Sequence, residues 1–241
     1  YPDRIVIGSD NKSEFKTMRK LYSPLINKGA KFFTTSRKGA ELIKYASNAF
    51  LATKITFINE LANLCEKTGI NVEDISLGIG SDSRIGSRFL RVGPAYGGSC
   101  FPKDTKGLVS AAEKYKTNLS IVKSVINSNH KRVNLLTERV HSILGKNLKN
   151  KKISILGVTF KPNTDDMRDS TSLKMIPYYC KSGAKVSYYD PSGEKKEFKS
   201  IKNCSYKKNI KENCIDADLI ILLTEWDEFK SIDFKKINKK K

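Results

Sequence analysis

Apolar residues recur every three or four positions along two long parts of the chain, a spacing typical of helices. The first part covers residues 37–68 and ends before Gly69, and the second covers residues 119–144 and ends before Gly145. The first helix carries two apolar stripes, so we expect it to be buried between neighbouring helices. One stripe consists of Ile43, Ala46, Phe50, Phe57, Leu61 and Leu64, and the other of Leu51, Ile55, Ile58 and Ala62.

Two shorter helical segments lie between these long helices. NVEDISLGIG at residues 71–80 and DTKGLVSAAEKY at residues 104–115 have helical spacing, while residues 81–103 are rich in turn-forming residues. Few strands are predicted in this part of the chain. Residues 37–145 therefore predict an all-helical central domain, which is a suitable core for a dimer.

The N-terminal residues predict a small strand and helix unit. DRIVIG and FFTT predict two short strands, and NKSEFKTMRKLYSPLI between them predicts one helix that is capped by Asn11 or Ser13. We expect residues 1–36 to be the end of a domain rather than a whole one.

Strands and helices alternate after the linker GKNLKNK. KKISILGVTF, KVSYYD and ADLIILLTEW predict strands, and MIPYYCKSG predicts the end of a helix. Such alternation is typical of a parallel, Rossmann-like sheet, here in residues 151–241, so the predicted fold class is α/β.

Composition narrows the classes of protein that this chain can be. Of its 241 residues, 39% are hydrophobic, which is enough for real cores. No window approaches the ~20 apolar residues of a membrane span, and the N-terminus lacks the layout of a signal peptide. We therefore expect a cytoplasmic protein that has no membrane partner.

The net charge of +20 raises the possibility of nucleic-acid binding. The lysines are spread over the whole chain, however, and no run interleaves them with aromatic residues, so we expect no nucleic-acid partner. The charge still favours an anionic small substrate.

The five cysteines do not predict a metal site or a disulfide framework, because they form no CxxC pair and only two histidines accompany them. We expect Cys65 and Cys180 to be buried as small apolar residues. Cys100 differs, because it lies in the flexible segment GPAYGGSCFPKD at residues 93–104.

Cys100 has the surroundings of a reactive thiol. Lys103 and a helix that begins near Lys103 or Asp104 favour a thiolate, and Gly97 and Gly98 let a substrate approach the backbone closely. Asp104 is placed to orient a water or move a proton.

Two polar residues on the first long helix are further candidates. Lys44 and Asn48 lie four residues apart and share one face, where a lysine needs either solvent or a partner.

The chemistry that fits a cysteine without a nearby histidine base is aldehyde oxidation. Both histidines lie on one predicted helix, which disfavours a cysteine protease. In aldehyde oxidation the thiolate adds to a carbonyl, a hydride leaves, and a thioester is hydrolysed. This needs a hydride acceptor, yet the fingerprint GxGxxG occurs nowhere in the chain.

Five ordered segments resemble the UDP-glucose dehydrogenases of the UDP-glucose/GDP-mannose dehydrogenase family. They are KYASNAFLATKITFINE, RIGSRFL, GGSCFPKD, GVTFKPNTDDMRDS and LLTEWDEF. The resemblance implies NAD-dependent oxidation of UDP-glucose to UDP-glucuronate, with two hydride transfers and covalent catalysis by Cys100. It also implies a homodimer formed through the central helices, with UDP-glucose as the substrate and NAD as the cofactor.

The resemblance also implies roles for individual residues. Lys44 and Asn48 would stabilise the oxyanion at C6, and Asp104 would handle protons and the hydrolytic water. Arg84 would reach the substrate across the dimer interface. The implied substrate-binding residues are Lys44, Asn48, Arg84, Phe89, Arg91, Tyr96, Gly97, Phe160 and Lys161, and the implied cofactor-binding residues are Lys103 and Arg168.

The resemblance further implies three domains. Residues 1–36 would be the last part of an N-terminal Rossmann NAD-binding domain, residues 37–145 the helical dimerisation domain, and residues 151–241 an incomplete UDP-sugar-binding domain. We expect most of the NAD-binding domain, and a late arginine directed at the substrate, to be missing from this chain, so turnover would depend on the missing domain. The open alternatives are a non-catalytic remnant that acts as an assembly module and a dehydrogenase for another nucleotide sugar.

Overall fold

Three successive units are present in the computed structural model, which describes residues 1–237. The last four residues of the predicted C-terminal domain, 238–241, lie outside the described residues.

The first unit is a parallel pair of strands, β1 (Arg4–Gly8) and β2 (Lys31–Thr35), joined by two helices, α1 (Lys12–Leu21) and α2 (Ser23–Ile26). The prediction of a single helix here is wrong: the helix is interrupted at Tyr22, and α2 starts with a proline in its first turn. Proline lacks a backbone N–H and cannot continue the hydrogen bonding of the preceding helix. Asn11 is the cap of α1, because its side chain accepts a hydrogen bond from the Ser13 N–H.

The second unit is all-helical, as predicted, with α3 (Arg37–Thr68), α4 (Val72–Gly80), α5 (Phe101–Lys114) and α6 (Ser120–Leu144). Gly69 ends α3 in the left-handed conformation, at φ 73°. Helix α5 begins earlier than predicted, at Phe101, because a proline in its first turn is compatible with helix initiation.

The expectation that both apolar stripes of α3 are buried is wrong for the isolated chain. Ile58 is fully buried, but Phe50, Phe57 and Leu64 are 65%, 51% and 56% exposed. These three residues are spaced by seven, so they form a continuous apolar line along one side of α3. We call this line the α3 stripe.

The third unit is a four-stranded sheet with strand order β5-β4-β3-β6, in which all strands are parallel. Its elements are β3 (Lys152–Leu156), α7 (Ser172–Lys181), β4 (Lys185–Tyr189), a 3-10 turn (Lys196–Phe198), β5 (Cys204–Tyr206), α8 (Ile210–Cys214), β6 (Leu219–Leu222), a second 3-10 turn (Asp227–Phe229) and α9 (Phe234–Ile237). The Rossmann-like sheet is therefore confirmed, although the pattern did not predict β5 or α8, which are short and rich in polar residues.

The core of this unit lies around β3, where Ile153, Ile155 and Leu156 are fully buried. After β3, the next two strands, β4 and β5, are added in order on one side of it. The last strand, β6, then pairs with the other side of β3. In open parallel sheets, ligands bind outside the carboxyl ends of the strands at the point where this direction changes. That point lies between β3 and β6.

Among the described residues, no helix combines the length and the apolar character needed to cross a membrane.

Candidate active site

Cys100 is exposed and immediately precedes α5. Its backbone carbonyl accepts a 2.8 Å hydrogen bond from the Asp104 N–H and so takes part in the first turn of the helix. It borders an open depression of about 580 Å³, which is also lined by Ser99, Lys103, Arg168 and Asp169. Ser99 Oγ lies 3.7 Å from the thiol sulfur. The thiol is thus accessible at a helix N-terminus, where partial positive charge favours anions.

Asp104 is the point where the other predicted catalytic residues meet. Its side chain is fully buried. The Asn48 side-chain amide donates a 2.6 Å hydrogen bond to Oδ2, and Lys44 Nζ lies 3.9 Å from the same oxygen. Lys103 Nζ lies 3.1 Å from Oδ1. Lys44 contacts Asp104 although the lysine side chain is 63% exposed.

These contacts set the charge of Asp104. Burial acts to raise the pKa of this carboxyl, but hydrogen bonds from Asn48 and Lys103 and the positive charge of Lys44 outweigh it, so its pKa is lowered. Asp104 in turn raises the pKa of Lys103 through the same contact. Near neutral pH the cluster therefore consists of a carboxylate and two ammonium groups.

The glycines before Cys100 are required by close packing against the third unit. A Cβ on Gly97 would overlap the carbonyl oxygen of Asp169, and one on Gly98 would overlap the Phe160 ring. The Gly98 N–H donates a 2.8 Å hydrogen bond to the Arg168 carbonyl. These contacts fix the segment that carries Cys100 against the C-terminal sheet domain.

Three buried polar residues that the sequence analysis missed hold this segment from the other side. Asn129 on α6 forms two hydrogen bonds with the Tyr96 backbone, of 2.9 and 3.0 Å. Asn59 on α3 accepts a 2.9 Å hydrogen bond from the Gly93 N–H, and Arg132 on α6 donates a 2.8 Å hydrogen bond to the Gly93 carbonyl. Each of the three is a polar residue on an otherwise apolar helix face, and this pattern is the sequence feature that could have identified them.

Arg132 connects the segment to α3 as well. Its Nη1 donates to the Asn59 carbonyl and to the Asn63 side chain, both at 2.9 Å. Burial lowers the pKa of this guanidinium, which is 8% exposed. Burying a charged group requires such hydrogen bonds.

A crevice of about 570 Å³ lies between α6 and β6, and it extends to the residues that follow the carboxyl ends of β3 and β6. The predicted substrate residues Arg91, Phe160 and Lys161 line it. Arg91 forms a 2.6 Å ion pair with Glu225, and Lys161 Nζ lies 5.4 Å from the centre of the Phe160 ring. Arg132 and Arg139 also line this crevice, so it is rich in cationic groups.

Two predicted aromatic residues lie beside the start of α5. The rings of Phe89 and Tyr96 each pack edge-on against Phe101, with centroids 6.2 and 6.1 Å away. Burial is the main cause that raises the pKa of Tyr96.

Two predicted arginines are engaged with neighbouring carboxylates. Arg168 borders the Cys100 depression and forms a 2.7 Å ion pair with Asp166. Arg84 forms a 2.6 Å ion pair with Asp82, and its side chain is 87% exposed. In the part of the chain that the structure describes, Arg84 makes no contact with Cys100 or its neighbours.

Both large parts of the chain match one protein family. Residues 38–131 match the central domain, and residues 154–241 the UDP binding domain, of the UDP-glucose/GDP-mannose dehydrogenase family.

Individual relatives point to the same family. The chain is 45% identical to a UDP-glucose 6-dehydrogenase of Rickettsia felis over 98% of its own length and 53% of that protein. It is 46% identical to one of Rhizobium meliloti, with 98% of this chain and 54% of that protein covered. A solved UDP-glucose dehydrogenase of Pyrobaculum islandicum superposes with a TM-score of 0.89 at 31% identity, over 96% of this chain and 53% of that one. The chain thus spans about half the length of these relatives.

Proposed function

The chain belongs to the UDP-glucose/GDP-mannose dehydrogenase family, and on this premise we propose that it is the substrate-binding and nucleophile-bearing part of a UDP-glucose 6-dehydrogenase. The whole enzyme oxidises the C6 alcohol of UDP-glucose to the carboxylate of UDP-glucuronate. The observation that carries the proposal is an exposed Cys100 one helical turn before buried Asp104, the carboxylate that Lys44 and Asn48 contact.

The crevice between α6 and β6 is the proposed site of the UDP group. A diphosphate needs cationic donors, and Arg91 and Lys161 provide them at the rim while Phe160 offers an aromatic surface. The segment that begins with Gly93 leads from this crevice to Cys100, so a nucleotide bound there directs its sugar along the segment towards the thiol.

We propose covalent catalysis by the four central residues. The Cys100 sulfur adds to the carbonyl carbon of the C6 aldehyde, and Lys44 and Asn48 donate hydrogen bonds to the oxygen that becomes negative. Such donors, preorganised for the transition state, contribute about 3 kcal/mol each. Asp104 holds the amide and the ammonium groups in place and orients the water that hydrolyses the thioester.

The depression beside Cys100 fits the edge of a dinucleotide, because Lys103 and Arg168 place two cationic side chains there. NAD, when bound, supplies the hydride acceptor for both oxidations. The glycine fingerprint that would hold the rest of the cofactor is not in this sequence, so we propose that turnover requires a further NAD-binding domain.

The proposed partner is a second copy of the chain. The exposed α3 stripe provides an apolar surface for it, and exposed Arg84 is free of the site in its own chain. We also assign the protein to the cytoplasm, because its five cysteines form no disulfide and such thiols are typical of a reducing compartment.

Thiol labelling with and without UDP-glucose tests the proposal directly. We expect Cys100 to react faster than buried Cys65, Cys180 and Cys214, and UDP-glucose to slow only its labelling. Lys161→Gln should weaken this protection, whereas Lys114→Gln, on the exposed end of α5, should not. Labelling that is slow and indifferent to UDP-glucose would instead favour an assembly module without catalysis, and stronger protection by GDP-mannose would indicate a different sugar substrate.

Turnover is tested after an NAD-binding domain is supplied as the N-terminal half of a relative. The completed enzyme should form UDP-glucuronate, and Cys100→Ala should abolish this activity. Full turnover by the alanine variant would refute the assigned role of the thiol.

A further inference from the structure

A second cavity, of about 180 Å³, lies on the other side of the Cys100 segment, between α5, α6 and the start of α7. Lys106 from α5, His130 from α6 and Lys174 from α7 line it. Within residues 1–237, none of these three side chains forms an ion pair or a side-chain hydrogen bond. Three basic groups from three helices therefore face one small cavity without a partner.

The electrostatics confirm that these groups are close together. Burial lowers the pKa of His130, and the positive charges of Lys174 and Lys106 lower it further. Asp169, which also lines the cavity, acts in the opposite direction. Two lysine charges and one carboxylate thus surround this imidazole, and all three basic side chains are exposed, so a bound anion can reach them from solvent.

A threonine hydroxyl adds a neutral donor to this cavity. Thr171 is 6% exposed and lines the cavity, and within the described residues its hydroxyl forms no hydrogen bond. Thr171 is also the residue at the N-cap of the ten-residue helix α7, and its side chain makes no capping bond. The backbone N–H groups of Ser172, Leu173 and Lys174 already donate hydrogen bonds to residues 170 and 171, so the contact that Thr171 offers an anion here is its hydroxyl.

We propose that this cavity binds a phosphate group, held by Lys106, Lys174 and the Thr171 hydroxyl. At about 180 Å³ the cavity has less than a third of the volume of the 570 Å³ crevice, so it suits a small oxyanion rather than a whole nucleotide. The group belongs either to inorganic phosphate or to a small phosphomonoester. Because its ligands come from α5 and α7, the bound anion joins the helical unit to the sheet unit directly behind Cys100.

The two histidines of the chain make the test specific to this cavity. His130 lines it, whereas His141 lies three turns further along α6 and its Nε2 is 2.8 Å from the Tyr178 hydroxyl. We expect inorganic phosphate, titrated at constant pH and ionic strength, to shift the imidazole NMR signals of His130 saturably and to leave those of His141 unchanged. Glycerol phosphate is the second probe, and the tighter of the two ligands identifies the source of the group.

Matched lysine variants separate the site from general electrostatic attraction. Lys106→Gln and Lys174→Gln should each weaken binding about tenfold, the effect of losing one charge-assisted hydrogen bond. Lys114→Gln on α5 and Lys181→Gln on α7 remove the same charge elsewhere and should leave the affinity unchanged. Thr171→Val should weaken binding without a loss of charge, and Lys161→Gln should have no effect, since that residue lines the other crevice.

Two results would overturn the proposal. One is a His130 signal that does not respond to either phosphate probe. The other is an equal loss of affinity in all five lysine variants, which would mean a diffuse, adventitious ion only. Neither result bears on the thiol labelling of Cys100, so this proposal and the proposed function can fail independently.

Discussion

At the scale of single residues, Asp104 is the side chain whose ionisation has the clearest consequence. It is fully buried, and its partners Lys44, Asn48 and Lys103 come from two different helices. Their contacts are strongest when the carboxyl is ionised, which is why its pKa is lowered despite burial. The same contacts that organise the proposed catalytic cluster therefore stabilise the fold.

This lowered pKa predicts a pH dependence of stability. An ordinary aspartate titrates at about 3.9, so the stabilisation by Asp104 is complete above that pH and is lost as the pH falls through the lower, folded-state pKa. Asp104→Asn should reduce the free energy of unfolding by about 1–3 kcal/mol at pH 7. In urea denaturation at a series of pH values, the difference in the free energy of unfolding between the wild type and Asp104→Asn should disappear in acid. Asp165→Asn, at an exposed carboxyl, is the control, and a gap independent of pH would contradict the prediction.

Gly97 gives a second prediction at this scale, because the Asp169 carbonyl leaves no room for a Cβ there. Gly97→Ala should lower the free energy of unfolding by about 1–3 kcal/mol, the usual effect of overpacking. Gly93→Ala, in the same segment, is the control, since its Cβ would meet no atom within 4 Å. Denaturant unfolding measures both variants, and equal effects would show that the close approach at Gly97 is relaxed in solution.

At the scale of elements, helix α3 has two sides with different roles. One side places Lys44, Asn48 and Asn59 towards α5 and the segment before it, and the other exposes the α3 stripe. A line of large apolar side chains along a 32-residue helix is unusual on the surface of a monomer. This division explains why the sequence pattern of α3 shows two apolar stripes: the stripe with Ile58 is buried or half-buried in the isolated chain, and the α3 stripe is exposed.

The exposed stripe predicts the effect of charge on assembly. The double variant Phe50→Glu/Phe57→Glu should convert a dimer into a monomer of unchanged helical content, because it places charges in an apolar interface. Sedimentation analysis and circular dichroism measure the two properties. Tyr115→Glu, at a 75% exposed residue outside α3, should remain dimeric. A wild-type protein that is monomeric at all concentrations would contradict the proposed partner.

At the scale of the whole molecule, the segment of residues 91–100 connects the helical unit to the sheet unit. The helical unit holds it through Asn59, Asn129 and Arg132. The sheet unit holds it through the Gly98–Arg168 hydrogen bond and the Arg91–Glu225 ion pair. The crevice between α6 and β6 and the Cys100 depression lie at the two ends of this segment, so their geometry depends on both units.

Arg132 should therefore affect stability and ligand binding together. Arg132→Met leaves the Gly93 and Asn59 carbonyls without their donor and should lower the free energy of unfolding by about 2–4 kcal/mol. It should also weaken UDP binding in calorimetry. Arg139→Met is the control, because this arginine lies on the same helix and in the same crevice but is exposed and pairs with Glu66. Comparable losses of stability in the two variants would contradict the proposal that Arg132 holds the segment of residues 91–100 in place.

The sequence alone predicted the features that depend on neighbouring residues. The bounds of α3 and α6 follow from apolar periodicity and from the glycines that end them. Two local bounds were predicted wrongly, the start of α5 and the single helix across Tyr22, and a proline lies at each of them. The segment around Cys100 was singled out by its residue types and spacing. Lys44 and Asn48 were noted as two polar residues on one helix face, and their catalytic role is implied only by the family resemblance.

The tertiary structure decided the features that depend on contacts between distant residues. Asp104 meets Asn48 across 56 positions, and Arg132 meets Asn59 across 73, and no local pattern encodes either pairing. Strand β5 is polar and short and gains its structure by pairing with β4. Local propensity fixes where helices and strands begin and end, whereas long-range packing fixes which faces are buried and which polar groups meet. The individual side chains of the candidate site are readable in the sequence, and their arrangement exists only in the folded chain.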